Sequence, residues 1–286
     1  MSDFVTIFEM GPRDGLQNEK QFVPTAQKIE LVDRLSTCGF RKIEVTSFVS
    51  PRWVPQMADA QDVMEGIYRH PAISYAALTP NVKGFTAARK ASADEVAIFG
   101  SASEGFSKKN INCSIAESIE RFRPLLEKAR EDDIPVRGYV SCVTDCPYDG
   151  PTPPDKVAEV ARLLLDLGCY EISLGDTIGS GTPETVATML DAVLEAVPAA
   201  RLAGHYHDTK GRALENIAVN LEKGLRTFDS AVGGLGGCPY APGAKGNVAT
   251  EAVLGLMADK GLETGIDRAA LEDVAAFAKS LRSVEP

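Results

Sequence analysis

Along the chain, short runs rich in Val, Ile and Phe alternate with longer stretches in which apolar residues recur every three or four positions. Side chains two apart share a face of a strand, and those three or four apart share a face of a helix, so the short runs predict strands and the long ones amphipathic helices. The predicted strands are VTIFEM (5–10), KIEVTSF (42–48), ISYAALT (73–79), EVAIFGS (95–101), PVRGYVSC (135–142), EISLGDT (171–177), RLAGHYHD (201–208) and TFDSAVGG (227–234). Helical stretches fall between them at 25–38, 114–131, 153–167, 183–197 and 211–223, several opened by Pro or Thr, and a terminal helix is predicted over 267–281. Strands that alternate with helices read as βα units of a parallel sheet.

Eight such units fit an α/β fold of the (β/α)8 TIM-barrel type, whose typical length is about 250 residues. No GxGxxG follows the first strand, which removes the usual signal for an open dinucleotide-binding sheet. The expectation is one TIM-barrel domain over residues 1–286, with a C-terminal helical extension. Two connections exceed the short norm and are read as loops: SASEGFSKKNINCS (101–114) and GGLGGCPYAPGAKGN (233–247). The second is glycine-rich and long enough to act as a lid over the barrel mouth.

Composition narrows the picture. At 286 residues, 44% hydrophobic and 24% charged, the chain is long and apolar enough to bury a substantial core. A formal net charge of −10 argues against nucleic acid as the main partner, because phosphate backbones are bound through basic surface. No apolar run approaches the ~18 residues of a membrane span, and MSDFVTIFEMGPRDG lacks the basic start and apolar core of a signal peptide. A cytoplasmic location is expected. Cys38, Cys113, Cys142, Cys146, Cys169 and Cys238 form no CxxC pair, so neither a structural disulfide nor a zinc site is expected.

In a TIM barrel the reactive groups stand at the C-terminal ends of strands and on the loops that follow. Those positions carry Glu9, Arg13 and Asp14 after the first strand, Glu44 in the second, Asp176 in the sixth, His205, His207 and Asp208 in the seventh, and Cys238 and Asn247 in the last loop. The His205-Tyr206-His207 pair is the sharpest of these, because residues two apart in a strand project together and can offer two imidazole nitrogens to one ion. Two of the three histidines fall there. A hard divalent ion takes mostly oxygen donors and tolerates imidazole, so Asp14, His205, His207 and the amide oxygen of Asn247 are a candidate set with room left for a chelating substrate. Each has a simpler reading. The histidines can sit in the strand without an ion, Asp14 can cap a turn, and Asn247 can be the N-cap of a helix starting at Val248. Arg13 can pair with a rim acid, yet its permanent charge and fork shape also suit an oxyanion. Cys238, with no core to fill, is either a quiet loop thiol or a proton donor whose pKa is lowered by a nearby cation.

Several longer stretches together carry a resemblance: EMGPRDGLQNEK (9–20), EVTSFVSPRWVPQMADA (44–60), TPNVKGF (79–85), KKNINCSIAES (108–118), VRGYVSC (136–142), GCYEISLGDTIGSGTP (168–183), HYHDT (205–209) and GGLGGCPYAPGAKGN (233–247). Across nearly its whole length the chain resembles the 3-hydroxy-3-methylglutaryl-CoA lyase family. That family lies within a wider metal-dependent group of Claisen condensing enzymes and retro-aldol lyases on TIM barrels. The resemblance implies Asp14, His205, His207 and Asn247 as ligands of Mg2+ or Mn2+, and Arg13 as the group that polarises a thioester carbonyl. It further implies Glu44 and Asp176 as acids of the catalytic centre, Cys238 as the lid cysteine, and Glu251 as a supporting acid. Lys108, Lys109 and Asn110 match a loop at the CoA entrance. The implied reaction splits a 3-hydroxy-3-methylglutaryl thioester of CoA into acetyl-CoA and acetoacetate, steps of leucine catabolism and ketone-body metabolism, in a homodimer. His205 or Asp176 is the expected base and Cys238 or His205 the expected acid for the enolate. The alternatives are a lyase for a related acyl-CoA such as citramalyl-CoA, or a catalytically silent metal-binding barrel.

Overall fold

A computed structural model describes residues 3–238 and 241–282, with the side chains of 237, 238 and 241–245 outside the description. Eight parallel strands close a barrel: β1 (Thr6–Glu9), β2 (Lys42–Ser47), β3 (Ser74–Leu78), β4 (Glu95–Ser101), β5 (Val136–Ser141), β6 (Glu171–Asp176), β7 (Leu202–Tyr206) and β8 (Thr227–Ser230). Each strand pairs with the next in sequence, and β8 returns to β1 in the register Ile7↔Phe228 and Phe8↔Asp229. Every predicted strand is present within a few residues of its expected bounds.

Helices follow the strands: α1 (Thr25–Ser36), α2 (Ala60–Gly66), α3 (Val82–Lys90), α4 (Glu104–Ile111), α5 (Ile115–Glu131), α6 (Pro154–Leu167), α7 (Pro183–Ala196), α8 (Ala213–Glu222), α9 (Thr250–Asp259) and the terminal α10 (Arg268–Ser280). Their starts follow local chemistry. At α5 the Ser114 hydroxyl accepts the Glu117 amide hydrogen while the Glu117 carboxylate accepts that of Ser114, a reciprocal cap whose serine alone is typically worth about 1 kcal/mol.

Two expectations change. The stretch 101–114 is no plain loop, because Ser103 caps α4 by accepting the Phe106 amide hydrogen at 3.0 Å. Only Phe106 and Ser107 of α4 are buried, so this short helix has no apolar repeat to betray it. The final βα helix starts at Thr250 with Ala249 as its N-cap, not at Val248, and this frees Asn247 from the capping role.

Strand alternation divides the core. Ile7, Ile43, Val45, Val140, Ile172, Leu174 and Phe228 face outward into the helix layer, whereas Phe8, Met10, Ala76, Leu78, Ala97 and Tyr139 fill the barrel's interior. The inward positions also hold Glu44, Arg137, Ser173, His205 and Asp229, all buried. Buried polar groups are costly unless paired, and these are paired with one another.

Candidate active site

The site forms where the inward positions reach the C-terminal end of the barrel. Arg13 and Asp14 are carried there by one wide helical turn, Gly11–Gly15, in which the Gly15 and Leu16 amides bond carbonyls five residues back, at Met10 and Gly11. Its shape is anchored from outside the barrel. Glu9, on the outward parity of β1, accepts hydrogens from the Gly11 and Val232 amides, both at 2.8 Å, and from the Thr250 hydroxyl at 2.7 Å.

His205 and His207 project to the same side as expected, with ring centroids 5.5 Å apart. The Nε2 atoms of both point to Asp14 Oδ2, at 3.9 Å for His205 and 4.0 Å for His207. One donor atom from each of the three residues lies within 4.8 Å of the others. A cation with donors at about 2.1 Å in octahedral array separates them by about 3 to 4 Å, so this cluster fits a small divalent ion. A second observation agrees: the buried Nδ1 of His207 has no hydrogen-bond partner among the described residues, which leaves Nε2 as the nitrogen facing the cluster.

The electrostatics separate the two imidazoles. Burial, then the neighbouring His205, push His207 down to about 4, so it stays neutral and able to donate a lone pair. Burial opposes charge on His205 too, but the hydrogen bond and charge of Asp229 prevail and raise it. At Asp14 burial again opposes charge, yet Arg13 and the two histidines outweigh it and hold the carboxyl well below the usual range.

Arg13 is held on two sides. Its Nε donates to Glu44 Oε2 and its Nη1 to Asp14 Oδ1, while the guanidinium carbon lies 5.5 Å from the centroid of the Tyr139 ring. Asn247 donates to Asp14 Oδ2 at 2.8 Å, and Gln17 to Oδ1 at 3.1 Å. The close approach of Asn247 needs glycine at 236, where φ is +99° and a Cβ would stand 3.0 Å from the Asn247 amide nitrogen.

A cavity of about 310 Å³ opens above this group, and Arg13, Asp14, Asn110, Tyr139, His205 and His207 are among its walls. Other expected residues stand elsewhere. Glu44 is fully buried beneath Arg13, and burial pushes its carboxyl up against the pull of that arginine. Asp176 shares the outward parity of Ile172 and Leu174, is not among the cavity walls, and accepts from the Thr144 hydroxyl at 2.8 Å and the Gly181 amide at 2.9 Å. Glu251, in the first turn of α9, accepts the Gly233 amide hydrogen at 2.8 Å. Lys108 and Lys109 lie on the exposed side of α4 and do not line the cavity, whereas Asn110 of the same helix does. The Cys238 backbone belongs to a short ribbon with 241–245, and its side chain lies outside the described residues.

Four residues at the site were not foreseen. Tyr139 bonds Glu44 Oε1 at 3.3 Å, and Asp229, Ser173 and Arg137 cluster behind His205. Inward parity within the predicted strands was the available signal for all four.

Comparison with known proteins places this geometry. A family model described as HMGL-like matches residues 4–278. A mitochondrial hydroxymethylglutaryl-CoA lyase of Gallus gallus is 58% identical over 96% of this chain and 92% of its own length. The structure of an HMG-CoA lyase from Brucella melitensis superposes with a TM-score of 0.97 at 62% identity, covering 98% of this chain and 99% of that one. An HMG-CoA lyase from Acenitobacter baumannii, solved in complex with coenzyme A and 3-methylmalate, gives a TM-score of 0.93 at 38% identity over 98% of this chain and 92% of its own. With its barrel, its acid–imidazole cluster and a match over almost its full length, this chain belongs to the HMGL-like family.

Proposed function

We propose that this enzyme is a carbon–carbon lyase that splits 3-hydroxy-3-methylglutaryl-CoA into acetyl-CoA and acetoacetate. The observation that carries the reading is the convergence of Asp14, His205 and His207 beside Arg13 on one cavity, in a chain so similar to lyases of that name. Asp14, His205 and His207 would hold a divalent cation, Mg2+ or Mn2+, and Asn247 would be a fourth donor with its amide turned so that the oxygen replaces the NH2 now on Asp14. When bound, such a cation supplies a hard positive charge for oxygen donors and makes a nearby hydroxyl more acidic.

The residues divide the remaining work. His205 takes the proton of the tertiary hydroxyl through its Nε2 when that nitrogen is off the cation, while His207 and Asp14 stay as ligands. With Nδ1 engaged by Asp229, His205 has one free nitrogen, so it ligates or takes the proton but never both at once. Collapse of the alkoxide breaks the bond between the carbinol carbon and the carbon next to the thioester. This releases acetoacetate and leaves a thioester enolate, whose oxygen Arg13 stabilises. Glu44 keeps Arg13 in place. The enolate carbon takes a proton from Cys238, or from His205 returning the one it accepted, and acetyl-CoA is formed.

CoA enters past α4, where Asn110 reaches the cavity wall and Lys108 and Lys109 face solvent beside it. A homodimer completes the reading on the family's likeness alone, as does one barrel domain spanning 1–286. The cytosol is the proposed compartment, in keeping with five free cysteines and no disulfide among the described residues. No described helix is long and apolar enough to cross a membrane.

The test is release of acetoacetate from 3-hydroxy-3-methylglutaryl-CoA and of pyruvate from citramalyl-CoA, measured before and after chelation. Turnover of the first substrate, lost on chelation and restored by Mg2+ or Mn2+, is expected. Full activity in chelated protein removes the cation from the reading, and preference for the second substrate replaces the acyl group.

A further inference from the structure

Behind His205 lies a chain of buried polar groups that the reaction above does not use. Parallel pairing of β7 with β8 sets Asp229 directly beside His205, and both face the barrel interior. Asp229 Oδ2 lies 3.1 Å from His205 Nδ1 and accepts the Ser173 hydroxyl at 2.7 Å and Arg137 Nη1 at 3.1 Å. Arg137 Nη2 stands 2.9 Å from Oδ1 as an ion pair, off line for a hydrogen bond. Arg137 is 1% exposed, donates through Nε to Glu171 at 2.8 Å, and lies 4.6 Å from the Phe8 ring centroid. A fully buried carboxylate with a guanidinium and a hydroxyl already on it can only accept, so the hydrogen between Asp229 and His205 is on Nδ1.

We propose that Asp229, anchored by Arg137 and Ser173, is the positioning residue of His205: it fixes the tautomer that leaves the Nε2 lone pair facing Asp14 and the cavity. His207 has no counterpart, since its Nδ1 meets no partner. The two same-facing imidazoles therefore differ: among the described residues only His205 has a partner on Nδ1. Nothing in this arrangement requires a bound ion, although its consequence for turnover rests on the proposed role of His205.

The isosteric change Asp229→Asn tests it. Arg137 faces both oxygens, with Nη1 on Oδ2 and Nη2 beside Oδ1, so the amide loses the ion pair in either orientation. His205 then loses the anionic partner that holds its hydrogen on Nδ1, and where the NH2 takes the Oδ2 place, the hydrogen is forced to Nε2. The same exchange behind the histidine of serine proteases lowers kcat about 10⁴-fold through the wrong tautomer. The expected result here is a fall in kcat of at least ~10²-fold with KM within about threefold. A purely structural loss would show as unfolding, not as this split.

The tautomer is read directly by 15N NMR of the full-length, chelator-treated chain at a pH where the imidazoles are neutral. The chain has only three histidines, so assignment is tractable. In the unaltered protein His205 should carry its hydrogen on Nδ1, and in Asp229→Asn that preference should be lost, with Nε2–H gaining population. Hydrogen on Nε2 in the unaltered protein overturns the proposal without need of any variant, and so does a folded Asp229→Asn protein with unchanged kcat. If the unaltered chain fails to cleave the thioester, the functional reading falls, and the NMR result alone decides the role of Asp229.

Discussion

Asn247 and Asp14 stand 233 positions apart in the chain and meet through a 2.8 Å hydrogen bond from the amide to carboxylate Oδ2. That bond ties the segment leading into α9 to the turn after β1, and it orients the same oxygen that faces both histidines. Asn247→Ala should therefore weaken Mn2+ binding, measured by calorimetry, by about 10- to 100-fold, the usual cost of losing a ligand or its orienting partner. An unchanged affinity would show that the asparagine only closes the loop.

Arg13 and Glu44 form the pair whose removal separates chemistry from stability. Arg13→Met should lower kcat at least ~10²-fold, the scale of one lost oxyanion donor. It also strands a fully buried Glu44, which typically costs about 3–5 kcal/mol. Adding Glu44→Gln to Arg13→Met removes the stranded charge. The double variant should regain most of the lost stability, seen as recovered Tm, while kcat stays low. Recovery of both would mean that Arg13 serves the fold alone.

The contrast between Asp176 and Asp229 shows how far the sequence could be read. Both are strand acids, and the rule that reactive groups stand at strand ends favoured Asp176. Parity separates them: Asp176 lies in step with Ile172 and Leu174, which face the helices, whereas Asp229 alternates with the outward Phe228. The barrel and the His205–His207 pair were legible because each depends on spacing within one short segment. Asp229 acts through a neighbouring strand's register, and Tyr139 through a partner on β2, so neither announces itself in a local pattern. The helix α4 escaped for a related reason, since one buried aromatic makes no repeat.

Glu9 gives a pH signature. Burial raises its carboxyl to about 7, in spite of the hydrogen bonds from Thr250, Val232 and Gly11. The folded state therefore prefers the neutral acid, and the sign follows: its stabilising share is fully present below the unfolded value of about 4.5 and is lost as pH rises through about 7, where it levels off. The loss is about 3 kcal/mol. Glu9→Gln is neutral at every pH, so its stability relative to the unaltered chain should improve from pH 5 to about 7 and then level off in urea titrations. A constant difference across that range would mean that Glu9 is ionised throughout and that its three donors outweigh burial.

The last prediction contrasts Cys238 with the cysteines inside the fold. Burial pushes the thiols of Cys38 and Cys169 up to about 11 and about 12, so at pH 8 their reactive thiolate is on the order of one part in a thousand or less. If Cys238 keeps the ordinary thiol value of about 8.5, its thiolate fraction is at least about a hundredfold larger. Iodoacetamide at pH 8 should accordingly modify Cys238 first, as read by peptide mass mapping, and bound CoA thioester should slow that reaction while leaving Cys38 and Cys169 untouched. If Cys238 delivers the proton to the enolate, Cys238→Ser must cut turnover steeply with little change in Tm, because a hydroxyl is a far weaker acid than a thiol. A serine variant with near-normal turnover moves that proton to His205, whose Asp229-backed imidazole would then both remove it from the hydroxyl and return it to carbon.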